Sequence, residues 1–364
     1  MSEMDLLYTQ VEDDLRAVVR EVLADRCDPT AVIGLYDGDR SLVDGLWKVL
    51  AADLGLAGLL VPEDRGGVGA SAREVAVVLE ELGRTAAPVP FLTSAVIATT
   101  VLLHADTDTE LLGSLAAGER TAALVVPWAT SADREILAVH AADSRLTGTI
   151  FSVAGALEAD VLLVPASTPD GLAIYAVAAA DATVTPVVSL DMTRQLADIT
   201  LNAVTGTPVV ANADAAVRRA LEAGAGLLAS EQLGLARWCL DTTVEYLQQR
   251  RQFGRIVGGF QALKHRLADL HTSVESAAAA ARYAAATLAV DDPDASVAAR
   301  VAQAFCGDLA VTAAEEAVQL HAGIGMTWEY PAHLYLKRAK VDQSALGSPG
   351  RHRGRLADLV NLPA

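Results

Sequence analysis

Aromatic residues are scarce in this chain, at 4% of 364 residues, although 52% of the residues are apolar. Much of the apolar content is alanine, and an alanine-rich, aromatic-poor composition favours packed helices over a β-sandwich. The apolar content over this length is ample for buried cores. It indicates two or three domains rather than one.

Cysteine is rarer still, with three residues in the chain. Cys27, Cys239 and Cys306 are far apart and odd in number, and no Cys-x-x-Cys or Cys/His ligand spacing occurs. This pattern argues against a disulfide framework or a zinc site and fits a reducing compartment. The chain begins with acidic residues where a signal peptide has a basic region before an apolar run. We therefore expect a cytoplasmic protein.

Positive charge is in short supply, with 28 Lys and Arg against 46 Asp and Glu, which gives a net charge of −18. Such a surface repels nucleic acid phosphates and anionic lipid, so we expect neither as a partner. An anionic ligand would need a local basic patch. No stretch reaches about 18 apolar residues free of charge, and no membrane span is expected.

Three zones differ in their hydrophobic pattern. Residues 1–118 and 209–364 have helical periodicity, whereas residues 119–208 contain short β-branched runs broken by Gly, Pro, Asp and Ser. Ser71 precedes one apolar stripe and is expected to cap a helix. The order of helices, strands and helices predicts an α+β protein of three domains with these bounds. The expected strands include Ala122–Val126, Val161–Val164, Leu172–Val177 and Ile199–Val204.

Four stretches in the same order resemble the acyl-CoA dehydrogenase family, and together they span almost the whole chain. They are Leu54–Arg84 with its Pro-Glu-Asp-Arg-Gly-Gly turn, Ser189–Arg194, Arg250–Ala262, and Gln319–Gly325 followed by Glu329-Tyr330-Pro331. The resemblance implies an N-terminal helical domain, a central β-barrel-like domain and a C-terminal four-helix bundle. Members of this family bind FAD and oxidise acyl-CoA thioesters to trans-2-enoyl-CoA.

In this family a Glu removes the α-proton while the β-hydride leaves for the flavin, and the cofactor performs the redox chemistry. The resemblance thus implies FAD as cofactor, an acyl-CoA substrate and an electron-transfer flavoprotein as electron acceptor. It implies no metal site.

Arg250, Gln252 and Phe253 match family positions that hold the diphosphate and adenosine of a neighbouring subunit's FAD. A guanidinium can fork onto phosphate oxygens, and an aromatic ring can cover adenosine. The alternative is that Arg250 is a solvated cation stabilised by the helix dipole. Phe260 and Gln261 match a pair near the same cofactor, or else Phe260 faces the core and Gln261 faces water.

Five consecutive residues match a loop that approaches the FAD diphosphate through its backbone N–H groups. The family usually has Gly-Gly where this chain has Ala322 and Gly323. A positive φ at Ala322 would therefore cost stability. The five residues are Gln319, Leu320, His321, Ala322 and Gly323.

The β zone departs from the family. A Thr-Glu-Pro segment that bonds the flavin is replaced by the dissimilar stretch 126–133. A Trp and a Thr beside the flavin ring fall on Ser152 and Ala154. Aromatic cover and a hydroxyl donor are both lost, so a flavin held by this chain's own β domain would be poorly supported.

Both family locations of the catalytic Glu also lack a carboxylate. One aligns with Leu346 and the other falls near Gly224, and neither side chain can accept a proton. Glu222 is the nearest replacement if the alignment shifts. Glu231 lies two helical turns beyond Gly224 and is expected to be a surface or interface carboxylate. We therefore assign no catalytic residue to this chain.

Two histidines remain as proton acceptors by type. His321 lies in the diphosphate loop and is expected to be structural. His352 lies in a basic cluster with Arg351, Arg353 and Arg355, which could meet a nucleotide or an acidic helix but is expected to be solvated.

The sequence thus favours a half-site subunit of a heteromeric acyl-CoA dehydrogenase, resembling actinobacterial members in which only one of two related chains carries the base. Two alternatives remain. One is a self-sufficient homotetrameric dehydrogenase with a displaced base, and the other is a structural or regulatory protein that kept the fold and lost flavin.

Overall fold

The N-terminal region is helical in the computed structural model, which describes residues 4–104 and 109–362. Its first helix begins at a capping box, in which the Glu12 N–H donates to the Thr9 hydroxyl and the Thr9 N–H to the Glu12 carboxylate. Ser71 and Glu74 form the same motif, so the predicted cap at Ser71 is confirmed. The helices are α1 (Gln10–Arg26), α2 (Pro29–Gly34), α3 (Ser41–Lys48), α4 (Ala72–Arg84), α5 (Thr99–Leu103) and α6 (Thr109–Ala116), with a π-helical segment (Phe91–Ala98) before α5.

The central region is a mixed sheet of eight strands in the described part of the chain. Its order is β6-β7-β3-β2-β4-β5-β8, with β1 paired to β4 in parallel. The register of β3 against β7 shifts between Ile150 and Val153, which leaves Ser152 with a φ of +57°. Such a bulge redirects the strand locally. The strands are β1 (Ala122–Leu124), β2 (Val139–Ala142), β3 (Arg145–Ala154), β4 (Val161–Thr168), β5 (Gly171–Ala178), β6 (Thr183–Val187), β7 (Leu196–Thr205) and β8 (Thr207–Val210).

The C-terminal region is a bundle built on three long helices, with two shorter helices packed against them. A short hairpin of β9 (Arg251–Gln252) and β10 (Arg255–Ile256) joins the first two long helices. Within the part of the chain that the structure describes, one helix, α9, is long and apolar enough to cross a membrane, but 72% of its most apolar window is buried inside the protein. That burial accounts for its composition. The helices are α7 (Asp214–Gln249), α8 (Gln261–Ala289), α9 (Ala295–Leu320), α10 (Ala332–Asp342) and α11 (Pro349–Leu359).

Helices α4 and α7 touch backbone to backbone where two glycines cross. A Cβ on Gly83 would lie 2.1 Å from the Glu231 carbonyl oxygen, and one on Gly234 would lie 2.0 Å from the Glu80 carbonyl oxygen. No side chain fits at either position, so the crossing needs glycine on both helices. This contact fixes α7, and hence Glu231, against the N-terminal region. The α+β class and the order helical, sheet and helical are confirmed.

Candidate functional site

The connection between α7 and α8 forms an exposed cationic hairpin. Arg250 ends α7 in an extended conformation, and Arg251 and Arg255 lie on the paired strands β9 and β10. All three are exposed, and none has a carboxylate partner within residues 4–104 and 109–362. Against a net charge of −18, three unpaired guanidinium groups create the local basic patch that an anionic ligand requires.

The tip of this hairpin presents an aromatic ring to solvent. Phe253 and Gly254 have φ values of +53° and +75°, which make a tight two-residue turn. Phe253 is 88% exposed, and its ring meets that of Phe260 edge-on at 6.2 Å. A left-handed, exposed Phe costs stability and gains nothing from burial, so it fits a residue kept for an external contact.

Helix α8 begins directly beside this ring pair. The Phe260 ring is half-buried beneath Arg255, whose guanidinium carbon is 3.8 Å from the ring centre, and Gln261 is exposed. Phe260 thus packs under a cation of the hairpin instead of facing the core. No side chain caps the N-terminus of α8. Its free N–H groups add a further partial positive charge to the same face.

The loop after α9 is anchored by His321. Its Nδ1 lies 2.7 Å from the Ala317 carbonyl oxygen, and its Nε2 lies 2.6 Å from the Tyr330 hydroxyl. Burial lowers the pKa of His321, with the Ala317 hydrogen bond opposing the shift, so the ring is neutral near pH 7. The role is structural, as expected. Ala322 has a φ of +54°, so the left-handed backbone considered for this position is present.

The hairpin and this loop meet at one end of the bundle. The Tyr246 ring stacks on His321 at 4.5 Å, and the Arg250 N–H donates to the Tyr246 carbonyl oxygen. Arg250 is therefore one turn from the loop. Gln319, Ala322 and Gly323 are exposed, whereas the Leu320 and His321 side chains are buried. Leu320 and His321 can therefore offer a ligand only their backbone groups.

The departures from the family pattern, which lie far apart in the sequence, come together in the interior. The Trp128 N–H donates to the Ser152 carbonyl oxygen, and the Leu346 N–H donates to the Trp128 carbonyl oxygen, each at 2.9 Å. A Cβ on Gly224 would lie 3.1 Å from Leu346 Cδ1. The two positions that lack a carboxylate are therefore in contact with one another.

These residues close the interior between the sheet and α7. The remaining cavity has a volume of about 10 Å³, which holds a single water at most. Trp128 is 6% exposed and Leu346 1%, and Leu346 takes a φ of +53° to reach this position. The lining residues include no acid or base and are Thr93, Ile97, Leu124, Val126, Trp128, Ala154, Leu221 and Leu346. We call Trp128 and Leu346 the plug.

The expectation that Glu231 is a surface or interface carboxylate is wrong. Glu231 is 2% exposed and accepts hydrogen bonds from Arg194 Nη2 at 2.5 and 2.6 Å and from Arg338 Nε at 2.8 Å. Burial alone would raise its pKa, but the charges of Arg194 and Arg338 outweigh burial and lower it to about 2. A carboxylate held this tightly is a poor proton acceptor near neutral pH.

Glu222 lies away from the filled interior. It accepts a hydrogen bond from the Ser296 hydroxyl, and its Oε1 lies 3.7 Å from Arg300 Nη2. It lines an outer cavity of about 720 Å³ and is absent from the lining of the plugged interior. Neither Glu222 nor Glu231 therefore faces the position of the absent carboxylates.

The expected solvated cluster near the C-terminus is partly wrong, because His352 is only 2% exposed. Neither of its ring nitrogens has a hydrogen-bond partner. Burial and the nearby Arg300 charge lower its pKa to about 4. Arg351 pairs with Asp133, and Arg353 pairs with Asp308. His352 is therefore buried, whereas Arg353 forms its ion pair at the exposed surface.

Sequence reasoning missed the role of the Asp191–Arg194 segment. In the structure Arg194 binds Glu231 and lies beneath the Trp128 ring, with its guanidinium carbon 5.0 Å from the ring centre. No local sequence signal marks this role. Only the fold reveals its partner 37 residues away.

Comparison with known proteins gives the family. The N-terminal domain model of acyl-CoA dehydrogenases matches residues 9–119, and the C-terminal domain model matches residues 215–360. The chain is 35% identical to acyl-CoA dehydrogenase IpdE2 of Mycobacterium tuberculosis over 349 residues, which cover 95% of this chain and 96% of IpdE2.

Solved structures agree over the full length. A chain of the ChsE4-ChsE5 complex from Mycobacterium tuberculosis superposes with a TM-score of 0.87 at 28% identity, over 99% of this chain and 100% of that one. A chain of the Tcur3481-Tcur3483 steroid acyl-CoA dehydrogenase variant gives 0.84 at 28% identity, over 97% and 98%. The chain belongs to the acyl-CoA dehydrogenase family, whose cofactor is FAD.

Proposed function

We propose that this chain is a non-catalytic subunit of a heteromeric, FAD-dependent acyl-CoA dehydrogenase. It completes the cofactor site of a related partner subunit, and the partner supplies the Glu that removes the α-proton. The single observation that carries the proposal is the plug, because it fills the interior at the positions where the family has its base and its flavin-facing side chains.

The interior does not fit a flavin ring or a thioester. A cavity of about 10 Å³ is far below the roughly 300–1,000 Å³ of ordinary small-molecule sites. The plug is tied in place by backbone hydrogen bonds between Leu346, Trp128 and Ser152, so rotation of side chains alone would not open it. This closure speaks against a self-sufficient homotetrameric enzyme.

The hairpin face does fit the outer part of FAD. Arg250 and Arg251 offer guanidinium donors to a diphosphate, and Phe253 offers an exposed ring to adenosine. The loop contributes the exposed Gln319 side chain and the backbone of Ala322 and Gly323. These groups point outward, so they suit a cofactor held mainly by another chain. A structural homologue without flavin would have no need of this face.

FAD bound in the partner would supply the redox chemistry of the reaction. Further residues of the hairpin, of helix α8 and of the loop support cofactor binding indirectly. They are Gln252, Phe260, Gln261 and the buried pair Leu320 and His321. Phe260 seats Arg255, and His321 fixes the loop against α7 through its contacts with Tyr246 and Ala317. The work of this chain is thus binding and orientation, and it needs no proton acceptor of its own.

The similarity to a chain of a steroid acyl-CoA dehydrogenase supports a bulky CoA ester, such as a steroid side chain, as the substrate of the complex. The similarity to a chain of the ChsE4-ChsE5 complex supports a related dehydrogenase chain as the partner. Electrons would pass from the complex to an electron-transfer flavoprotein, as in the family. We expect the complex to act in the cytoplasm.

Flavin content tests the proposal directly. The chain is expressed alone and together with a related chain that retains the Glu and the Thr-Glu-Pro segment, and both samples are gel-filtered. We expect little FAD in the chain alone and about one FAD per two chains in the complex, because linkage favours the state in which the cofactor site is complete. Absorbance of the released flavin measures the ratio.

Stoichiometric FAD and dye reduction by the isolated chain would establish a self-sufficient enzyme instead. A stable complex that contains no flavin would favour the structural or regulatory alternative. As a matched comparison, the partner alone is expected to hold FAD weakly, since it lacks the hairpin of this chain.

A further inference from the structure

Five charged side chains form a sealed cluster where the sheet meets the bundle. Asp191 and Arg194 come from the segment between β6 and β7, Glu231 from α7, and Arg338 and Asp342 from α10. Each is at most 7% exposed. We call these five residues the junction cluster. Its partners come from three separate elements, so it links the central sheet to the helices.

The three carboxylates of the junction cluster differ in the hydrogen bonds that they accept. Glu231 accepts from both arginines, and Asp191 Oδ1 accepts from the Thr193 N–H and hydroxyl at 2.8 and 2.6 Å. Asp342 receives none. Its Oδ2 lies 3.3 Å from Arg338 Nε and its Oδ1 lies 3.6 Å from Arg194 Nε, outside hydrogen-bond geometry.

Two buried amides contact the backbone of Asp342. Gln232 Nε2 and Gln303 Nε2 both donate to the Asp342 carbonyl oxygen, at 3.1 and 3.4 Å, while both Oε1 atoms are buried without a partner. An ionised carboxylate only accepts, whereas a protonated one also donates. Because neither carboxyl oxygen of Asp342 has a hydrogen-bond donor, the ionised form would be buried without hydrogen-bond stabilisation.

The balance of charges in the junction cluster also favours a protonated Asp342. Three carboxylates face two guanidinium groups, so full ionisation would bury one unbalanced negative charge. From the neighbouring elements, Gln303 of α9 is neutral, whereas Tyr36 and Lys337 act on Asp191 at the outer edge. No buried cation is left to balance the third carboxylate among the residues that face Asp342.

We propose that Asp342 holds a proton at neutral pH and that losing it under alkaline conditions loosens the junction between the sheet and the bundle. Because Arg194 also lies beneath Trp128, the loosening reaches the plug. The fold thus contains a pH-sensitive contact that is independent of any bound cofactor.

The pKa of Asp342 supports this assignment. Burial raises it to about 8, with Glu231 and Asp191 adding to the shift and Arg194 and Arg338 opposing it. A carboxyl group with a raised pKa contributes stability that is present below its ordinary pKa. That contribution declines as pH rises towards about 8 and then stays level, because both folded and unfolded chains have lost the proton.

Urea unfolding of the full chain between pH 5 and pH 9.5 tests the proposal. Asp342→Asn keeps the shape of the protonated acid and cannot ionise. Relative to this variant, the unfolding equilibrium constant of the parent should rise by up to about tenfold per pH unit towards pH 8 and level off beyond it. Glu315→Gln is the matched control, since Glu315 is exposed and pairs with Lys340 on the same helix as Asp342. It should follow the parent.

Hydrogen exchange gives the local readout. At pH 9 the backbone of residues 189–195 and 338–346 should exchange faster in the parent than in Asp342→Asn, while α4 should not differ. If Asp342→Asn does not fold, infrared spectra of the unmodified protein still decide. A carboxylic acid carbonyl band should be present at pH 6.5 and lost by pH 9.5. Absence of that band, or identical pH profiles of parent and variant, overturns the proposal.

Discussion

At the scale of single residues, Arg250 carries an unpaired charge that we expect to contact the FAD diphosphate. We expect Arg250→Ala to weaken FAD binding by the assembled complex about 10-fold or more, because a charge-assisted phosphate contact contributes about 1.5–3 kcal/mol. Titration of the flavin-free complex with FAD measures the dissociation constant. Arg145→Ala is the matched control, because Arg145 is also exposed but lies on β3, away from the hairpin. An unchanged constant would make Arg250 a solvated helix-end cation.

His352 makes the stability of the fold depend on pH in the acidic range, whereas Asp342 does so towards alkaline pH. Its pKa is lowered to about 4 in the folded chain, so its share of stability is present above the ordinary value of 6.5 and declines as pH falls towards 4. We expect the parent to lose about 3 kcal/mol from this group over that range. His352→Gln should lose correspondingly less.

Chemical unfolding at several acidic pH values measures this difference. His140→Gln is the control, since His140 is exposed on β2 and should leave the profile unchanged. Equal acid sensitivity of the parent and His352→Gln would show that His352 takes up its proton without penalty.

At the scale of elements, the crossing of α4 and α7 makes the sharpest stability prediction. Gly234→Ala would place a Cβ 2.0 Å from the Glu80 carbonyl oxygen, and backbone cannot yield as a side chain can. We expect a loss of about 1–3 kcal/mol or more. Gly113→Ala is the control, because nothing lies within 4 Å of its Cβ position in α6. That change should stabilise by about 0.5–1 kcal/mol. Thermal melts compare the two, and similar melting temperatures would contradict the crossing.

The elements also show which structural features a sequence encodes locally. Ser71 and Glu74 lie within one turn, and the β-branched runs of β4, β5 and β7 identify themselves by composition, so these were predictable. The bulge at Ser152 was not. It arises from pairing with β7 and from the Asp198 carboxylate that accepts the Ser152 N–H, 46 residues away. Propensity contains no information about such a partner.

At the scale of the whole molecule, catalysis should depend on the partner. We expect Glu222→Gln in this chain to leave the turnover of the complex within a few-fold of the parent. Replacing the partner's catalytic Glu with Gln should cost about 10²–10⁴-fold. Turnover with an acyl-CoA and an artificial electron acceptor measures both. A 100-fold loss from Glu222→Gln, in a complex that is folded and still binds FAD, would place the base in this chain.

Recognition of the candidate site from sequence was uneven for a physical reason. Arg250, Gln252 and Phe253 lie within four consecutive residues, so a short motif preserved their relationship. The plug joins Trp128 to Leu346, and the junction cluster joins Arg194 to Arg338, which only the folded chain brings together. The sequence predicts that the family positions of the base fall on Gly224 and Leu346, which have no carboxylate. It could not indicate that the two positions touch and that the space between them is filled.

The plug also bears on how such a chain could regain independence. Leu346→Glu alone would put a carboxylate into a space for about one water, where burial would keep it protonated and useless as a base. Trp128 would still block the substrate, and Ser152 and Ala154 would still lack flavin contacts. Each of these substitutions would bring no gain in activity until the others were also made. Loss of the pocket is therefore hard to reverse, because no single substitution reopens the filled interior.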